Sequence, residues 1–199
     1  MTADIPTFPD TALAQAANAF VLGCSPLPLV NHCRRTYLFG AALLNQAHKS
    51  FDTEAFYLAS ILHDLGLTET WEDGVTPFEK RGAAVAAEQL AQWGAAPELT
   101  SLVKEAIALH LKASTAEDPR PEVVGVSIGA SVDVLGLRLD ELPKHFVEQA
   151  LEQYPRLGFK QLLSELIDRQ TDLKPGSRIA TYVKQFHFKD LVAATPFDD

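Results

Sequence analysis

Five side chains lie in apolar stretches that do not readily take charge or a free lone pair: His32, His63, Asp64, His110 and Asp133. His63 and Asp64 sit side by side in Leu58-Ala-Ser-Ile-Leu-His-Asp-Leu-Gly-Leu67, a run that otherwise reads as core. An unpaired buried carboxylate is costly, so it takes up a proton or finds a partner. One cation shared by Asp64 and Asp133 would satisfy both. Two imidazoles and two carboxylates form a mixed nitrogen and oxygen donor set suited to zinc, iron, manganese or nickel. Neighbouring residues on a helix point about 100° apart, so His63 and Asp64 could both reach an ion lying between their directions. A His-Asp dipeptide alone is weak support. A core histidine bonded to a carbonyl explains His63 equally well.

The elements that must position these groups read as helices. Asp10 is placed to cap a helix running to about Leu22, with Leu13, Ala16, Ala17 and Phe20 on one face. After a break at Cys24-Ser-Pro-Leu-Pro-Leu, a second helix should start near Pro28 and run through Leu44 or beyond, carrying His32. Glu54 to Leu65 is apolar nearly all round and predicts a buried helix bearing the doublet. A polar stretch, Thr68 to Thr76, contains an Asp73-Gly74 turn signal. Thr76-Pro77-Phe78-Glu79 has the form of a capping box with proline at the first helical position. It opens an alanine-rich helix that Gly94 ends. A helix from about Pro97 carries Val103, Ala106, Ile107 and His110 along one face, and Thr115 to Pro121 reads as a loop. Further helices are expected at Pro143–Tyr154, Phe159–Gln170 and Ser177–Phe186.

Val123 to Leu137 is ambiguous. Its alternation through Val124, Val126, Ile128, Ala130, Val132 and Val134 has the period of a strand. No second segment offers itself for pairing, and a lone strand cannot satisfy its backbone. The segment is therefore read as a buried helix, with Gly125 and Gly129 four apart and open to close approach by a neighbour. The expectation is a single all-α domain over residues 1–199, a compact helical bundle with its core at about 10–186.

Bulk properties set outer limits. The 199 residues suit one domain, and a 47% hydrophobic fraction can bury a large core. A net charge of −9 without any basic run argues against nucleic acid as a partner. Two cysteines, Cys24 and Cys33, do not make a disulfide framework. The start, Met-Thr-Ala-Asp-Ile-Pro, lacks the blocks of a signal peptide, and no apolar run reaches the ~20 residues of a membrane span. The expected setting is cytoplasmic, without membrane contact. The oligomeric state, monomer or homodimer, is left open.

The order histidine, His-Asp doublet, distant aspartate resembles the HD-domain superfamily of metal-dependent hydrolases. Further pieces are similar to its cyanamide hydratase-like branch: Asn31-His-Cys-Arg-Arg-Thr-Tyr-Leu-Phe-Gly40, Leu62-His-Asp-Leu-Gly66, Phe78-Glu79 with Gly82-Ala83, Glu105-Ala-Ile-Ala-Leu-His110, Asp133-Val-Leu-Gly136 and Tyr154-Pro-Arg-Leu-Gly-Phe159. The likeness runs from about Asp10 to Phe186. One departure is Cys33, where that branch has serine. The resemblance implies an all-α fold. It implies that His32, His63, Asp64 and Asp133 bind one divalent transition metal, zinc or iron first, manganese or nickel next. It also places His110 beside the metal, in proton transfer or substrate orientation.

The implied chemistry is attack of metal-bound hydroxide on a small substrate, cyanamide or a nitrile-like relative. Glu79 then has two readings, helix cap or acid/base catalyst near the metal. Phe78 and Trp71 are candidates for the substrate pocket wall, and Tyr37 is better read as core. The competing reading is a phosphohydrolase acting on a nucleotide or other phosphomonoester. It would turn Arg35, Arg81 or Lys112 into the pocket, whereas a solvated face is their ordinary place. A third reading is a metal-binding sensor without catalysis. Between Asp64 and Asp133 only His110 adds a histidine, which favours a single ion over two.

Overall fold

A computed structural model describes residues 6–199; Met1 to Ile5, within the stretch read above for a signal peptide, lie outside the described residues. Ten α-helices follow one another, with no strand among the described residues: α1 (Ala12–Cys24), α2 (Leu27–Gln46), α3 (Thr53–Leu62), α4 (Phe78–Gln92), α5 (Pro97–Leu109), α6 (Pro121–Leu135), α7 (Lys144–Gln153), α8 (Phe159–Leu173), α9 (Arg178–Phe186) and α10 (Phe188–Ala193). The fold is all-α, as the sequence implies. Among the described residues no helix is long and apolar enough to cross a membrane.

The ambiguous segment is helical, and its glycines explain why. A Cβ on Gly129 would lie 2.0 Å from the Thr36 carbonyl oxygen, and one on Gly40 would lie 2.5 Å from the Gly125 carbonyl oxygen. These three glycines let α2 and α6 press backbone to backbone, buried on both sides. The strand-like alternation reflects a helix that is apolar nearly all round, so its valines need not follow a 3.6-residue stripe. Gly136, left-handed at φ 69°, closes α6. Through this contact His32 of α2 meets Asp133 of α6.

Several helix ends differ from expectation. Thr11, not Asp10, caps α1, its hydroxyl accepting from the Ala14 N–H at 3.1 Å. Pro77 occupies the N-cap of α4, so the capping box does not form. The Thr76 N–H donates instead to Asp73 Oδ1 at 2.7 Å. The helix bearing the doublet ends at Leu62. His63 is its C-cap, Asp64 lies outside at φ −102° and ψ 13°, and a 3₁₀ turn over Leu65–Leu67 follows. A second 3₁₀ turn covers Ala113–Glu117 in the expected loop, and α10 follows α9 without a sequence signal that marked it.

Candidate metal centre

His63 and His110 occupy the same local position on two different helices. Each is the C-cap residue, of α3 and α5 respectively. Each ring's Nδ1 donates to the carbonyl oxygen three residues earlier, Ser60 and Ile107, both at 2.7 Å. The last carbonyls of a helix lack intrahelical partners, and a histidine there satisfies one. Because a carbonyl only accepts, the proton belongs on Nδ1 and each Nε2 is left with a bare lone pair.

His32 is set the same way by a carboxylate. Its Nδ1 lies 2.7 Å from Asp133 Oδ2, so its Nε2 is also bare. That nitrogen lies 3.2 Å from His63 Nε2 and 3.5 Å from Asp64 Oδ2, and His63 Nε2 lies 3.3 Å from the same oxygen. All three residues are buried. Three electron-rich atoms thus converge with no proton among them, an arrangement that repels itself unless a cation sits between. An ion about 2.1 Å from each of three donors, at tetrahedral to octahedral angles, sets those donors about 3.0–3.4 Å apart. The observed spacing fits such an ion, and His32, His63 and Asp64 are the residues that would hold it.

The electrostatics agree. Burial pushes the Asp64 carboxyl above its ordinary value, against the pull of His32 and His110. Desolvation, reinforced by the His32 ring, pushes His63 down to about 3. Desolvation, reinforced by His63, pushes His110 down to about 4. His63 and His110 are therefore neutral and available as donors at physiological pH.

Asp133 stands behind His32 and does not join the three converging atoms. Arg35 grips both its oxygens, Nε to Oδ1 at 2.7 Å and a terminal nitrogen to Oδ2 at 2.9 Å. Arg156 donates to Oδ1 at 3.1 Å and to the Asp133 carbonyl at 3.2 Å. Burial alone would raise this carboxyl, but the Arg35 guanidinium and the His32 bond hold it well below the usual carboxylate range. In this geometry Asp133 orients and polarises His32. Asp133 thus satisfies its charge with His32, Arg35 and Arg156. Phe159 completes the mount. Its ring stacks on His32 with centroids 4.6 Å apart, while Arg35 and Arg156 lie over the same ring. Sequence reading gave Arg156 and Phe159 no role of their own, although both lie in the Tyr154–Phe159 stretch that carries the family likeness.

A cavity of about 200 Å³ opens on the triad. His110 and Phe78 line it, edge to face at 5.8 Å, with His110 5.0 Å from the His63 ring. The remaining wall is largely apolar and draws on Leu163 and Ile167 of α8, which sequence reading did not single out. Their spacing of four from Phe159 along one helix face was the available signal. Trp71 is not part of this wall. It packs against Phe20 at 5.8 Å, and its carbonyl accepts from Arg81. Glu79 is buried but also lies outside the wall, and its Oε2 has no hydrogen-bond partner.

Of the cations a phosphohydrolase would use, Lys112 lines the cavity, Arg35 is enclosed with Asp133, and Arg81 turns to Trp71 and Asp73. Cys33 is buried, and desolvation pushes its thiol up, which removes it as a nucleophile. Tyr37 is core, and His48, His145 and His187 are exposed away from the site.

Comparison with known proteins agrees with this geometry. The HD domain family matches residues 29–187, from the first turn of α2 to the end of α9. Two curated relatives are cyanamide hydratase DDI2 and cyanamide hydratase DDI3 of Saccharomyces cerevisiae. Each is 21% identical over 185 residues, covering 91% of this chain and 82% of the relative. A family match over most of the chain, centred on a histidine, histidine and aspartate cluster shaped for a cation, settles the assignment: the chain belongs to the HD domain family and is a metal-dependent hydrolase or hydro-lyase.

Proposed function

We propose that this protein is a mononuclear hydratase acting on cyanamide or a related small nitrile-like compound. The observation that carries the reading is the juxtaposition of the triad with a small, mostly apolar cavity. The names of the two yeast relatives supply the reaction class. Zinc or iron suits the two imidazole nitrogens and one carboxylate oxygen, with manganese or nickel next. When bound, such an ion supplies Lewis acidity that activates water and polarises the substrate.

The protein's own groups do the rest. Asp133, clamped by Arg35 and Arg156, keeps the His32 proton on Nδ1 and its lone pair aimed inward. The Ser60 carbonyl does the same for His63. His110 presents a bare Nε2 to the cavity and is the proton acceptor nearest the triad. It takes a proton as water attacks the nitrile carbon and returns it to the nitrile nitrogen. Phe78 and the apolar wall exclude bulk water, so a neutral linear head can lie against the triad without competing hydrogen bonds. Lys112 alone, exposed at the cavity mouth, is a meagre anchor for a phosphate ester.

The test is urea release from cyanamide by the metal-loaded protein, with metal content measured on the same sample and Asp64→Ala as control. Urea formation that disappears in the variant supports the proposal. Protein with metal bound and no urea formed overturns it.

A further inference from the structure

The cavity is too large and too apolar for cyanamide alone. Cyanamide is only about twice the bulk of a water molecule, whose share of the liquid is about 30 Å³. The cavity measures about 200 Å³. An apolar protein cavity of about 150 Å³ suffices for benzene, so space remains here for a ring in addition to a nitrile head.

The polar groups in the wall make the point sharper. The Ser131 hydroxyl donates to the Ser127 carbonyl at 2.8 Å, within α6. The Tyr182 hydroxyl donates to the Leu111 carbonyl at 2.5 Å. Both have their donors committed elsewhere. Opposite them stand Leu163, Ile167 and Ile179. Polar chemistry is concentrated at one end, at His32, His63, Asp64 and His110, with the Ser127 hydroxyl and the exposed Lys112 as the other polar groups in the wall. A polar tail on the substrate would lose its hydration and find few partners on these walls, whereas an apolar tail would gain from leaving water.

We infer that the substrate is a substituted cyanamide or nitrile whose C≡N head carries an apolar body of about benzene size. The inference rests on the hydration reading above and narrows its substrate class. The reaction balances without a further reactant. The water oxygen bonds to the nitrile carbon, one carbon–nitrogen π bond breaks, and after tautomerisation both water protons are on the former nitrile nitrogen. An N-aryl cyanamide thus becomes an N-aryl urea. No oxidant or reductant is needed. Leu163, Ile167, Val134 and Ser131 are then specificity-determining residues, seating the body while the head lies at the triad.

Phenylcyanamide and cyanamide are to be compared as substrates of the metal-loaded protein. In parallel, binding of phenylurea is measured by calorimetry, without turnover, for the wild type and for Ser131→Phe and Val134→Phe. These two variants fill the cavity from half-buried positions. Even one methylene in an apolar pocket is worth about tenfold or more. The expected result is a kcat/KM for phenylcyanamide at least about tenfold above that for cyanamide, carried mainly by KM, and phenylurea binding weakened at least about tenfold in both variants. Turnover of cyanamide with no binding of phenylurea and no hydration of phenylcyanamide would overturn the inference and leave the hydratase reading standing. Phenylurea binding that both variants abolish, with neither compound hydrated, would retain the apolar seat and overturn the hydration chemistry.

Discussion

The Nε2 atoms of His32 and His63 stand 3.2 Å apart, and the opposite nitrogen of each ring is bonded to an acceptor that favours the proton there. Two neutral imidazoles at that distance would ordinarily share a proton as donor and acceptor. Here the Asp133 carboxylate and the Ser60 carbonyl claim both protons, so the space between the rings and Asp64 is left for a cation. The site is prepared by groups set back from the three converging atoms.

That preparation is testable at Asp133. Asp133→Asn removes the negative charge that pairs with two buried guanidiniums and weakens the hold on the His32 proton. Breaking a buried ion pair from one side costs about 3–5 kcal/mol, and losing a carboxylate behind a ligand histidine costs about 10–100-fold in metal affinity. Urea unfolding of the metal-free protein and a zinc titration should each register the loss. Stability and affinity within error of wild type would exclude the positioning role.

His110 and Glu79 can be separated kinetically. His110→Gln should lower kcat by about 10²–10⁴, the usual contribution of a positioned acid or base, while leaving the metal content intact. Glu79→Gln, lying outside the cavity wall, should keep kcat within about threefold. A collapse of kcat in Glu79→Gln with metal retained would assign proton handling to Glu79 instead.

The pH dependence of stability has a definite sign. His110 is held neutral in the folded state, down to about 4, while in the unfolded chain it titrates near 6.5. As pH falls through that window only the unfolded state gains the proton, so stability is complete above about 6.5 and declines towards 4. Burial of Asp64 raises its carboxyl and works in the opposite direction above its ordinary value, so the comparison must be between variants. Metal-free His110→Gln should show a shallower decline than wild type, by up to one proton, or about 1.4 kcal/mol per pH unit. Equal slopes would mean that His110 is charged in the folded protein.

The helix contact is testable at Gly129. A Cβ there would meet the Thr36 carbonyl at 2.0 Å, a backbone atom that cannot turn aside. Gly129→Ala should cost about 3 kcal/mol or more, the upper range for overpacking, and should weaken metal binding because α2 and α6 carry His32 and its Asp133 partner. A thermal melt together with a metal titration would record both. Wild-type values in each would place the glycine pair outside site assembly.

The sequence by itself determined the all-α class and most helix positions, because apolar periodicity and terminal signals such as Gly94 and Pro97 are local. It also singled out His32, His63, Asp64 and His110, because charge and lone pairs inside apolar runs are costly wherever the chain goes. Tertiary structure decided what those groups face. Asp133 looked like a donor equal to the others, yet its surroundings were fixed by Arg35, Arg156 and Phe159 arriving from two other segments. Glu79 and Trp71 were near the right residues in sequence but turned elsewhere: Glu79 points about 100° away from the cavity-lining Phe78 on α4, and Trp71 lies before that helix, against Phe20. The cavity was illegible for the same reason. Its walls come from α6, α8, α9 and α10, and no local pattern records how separate helices leave space between them.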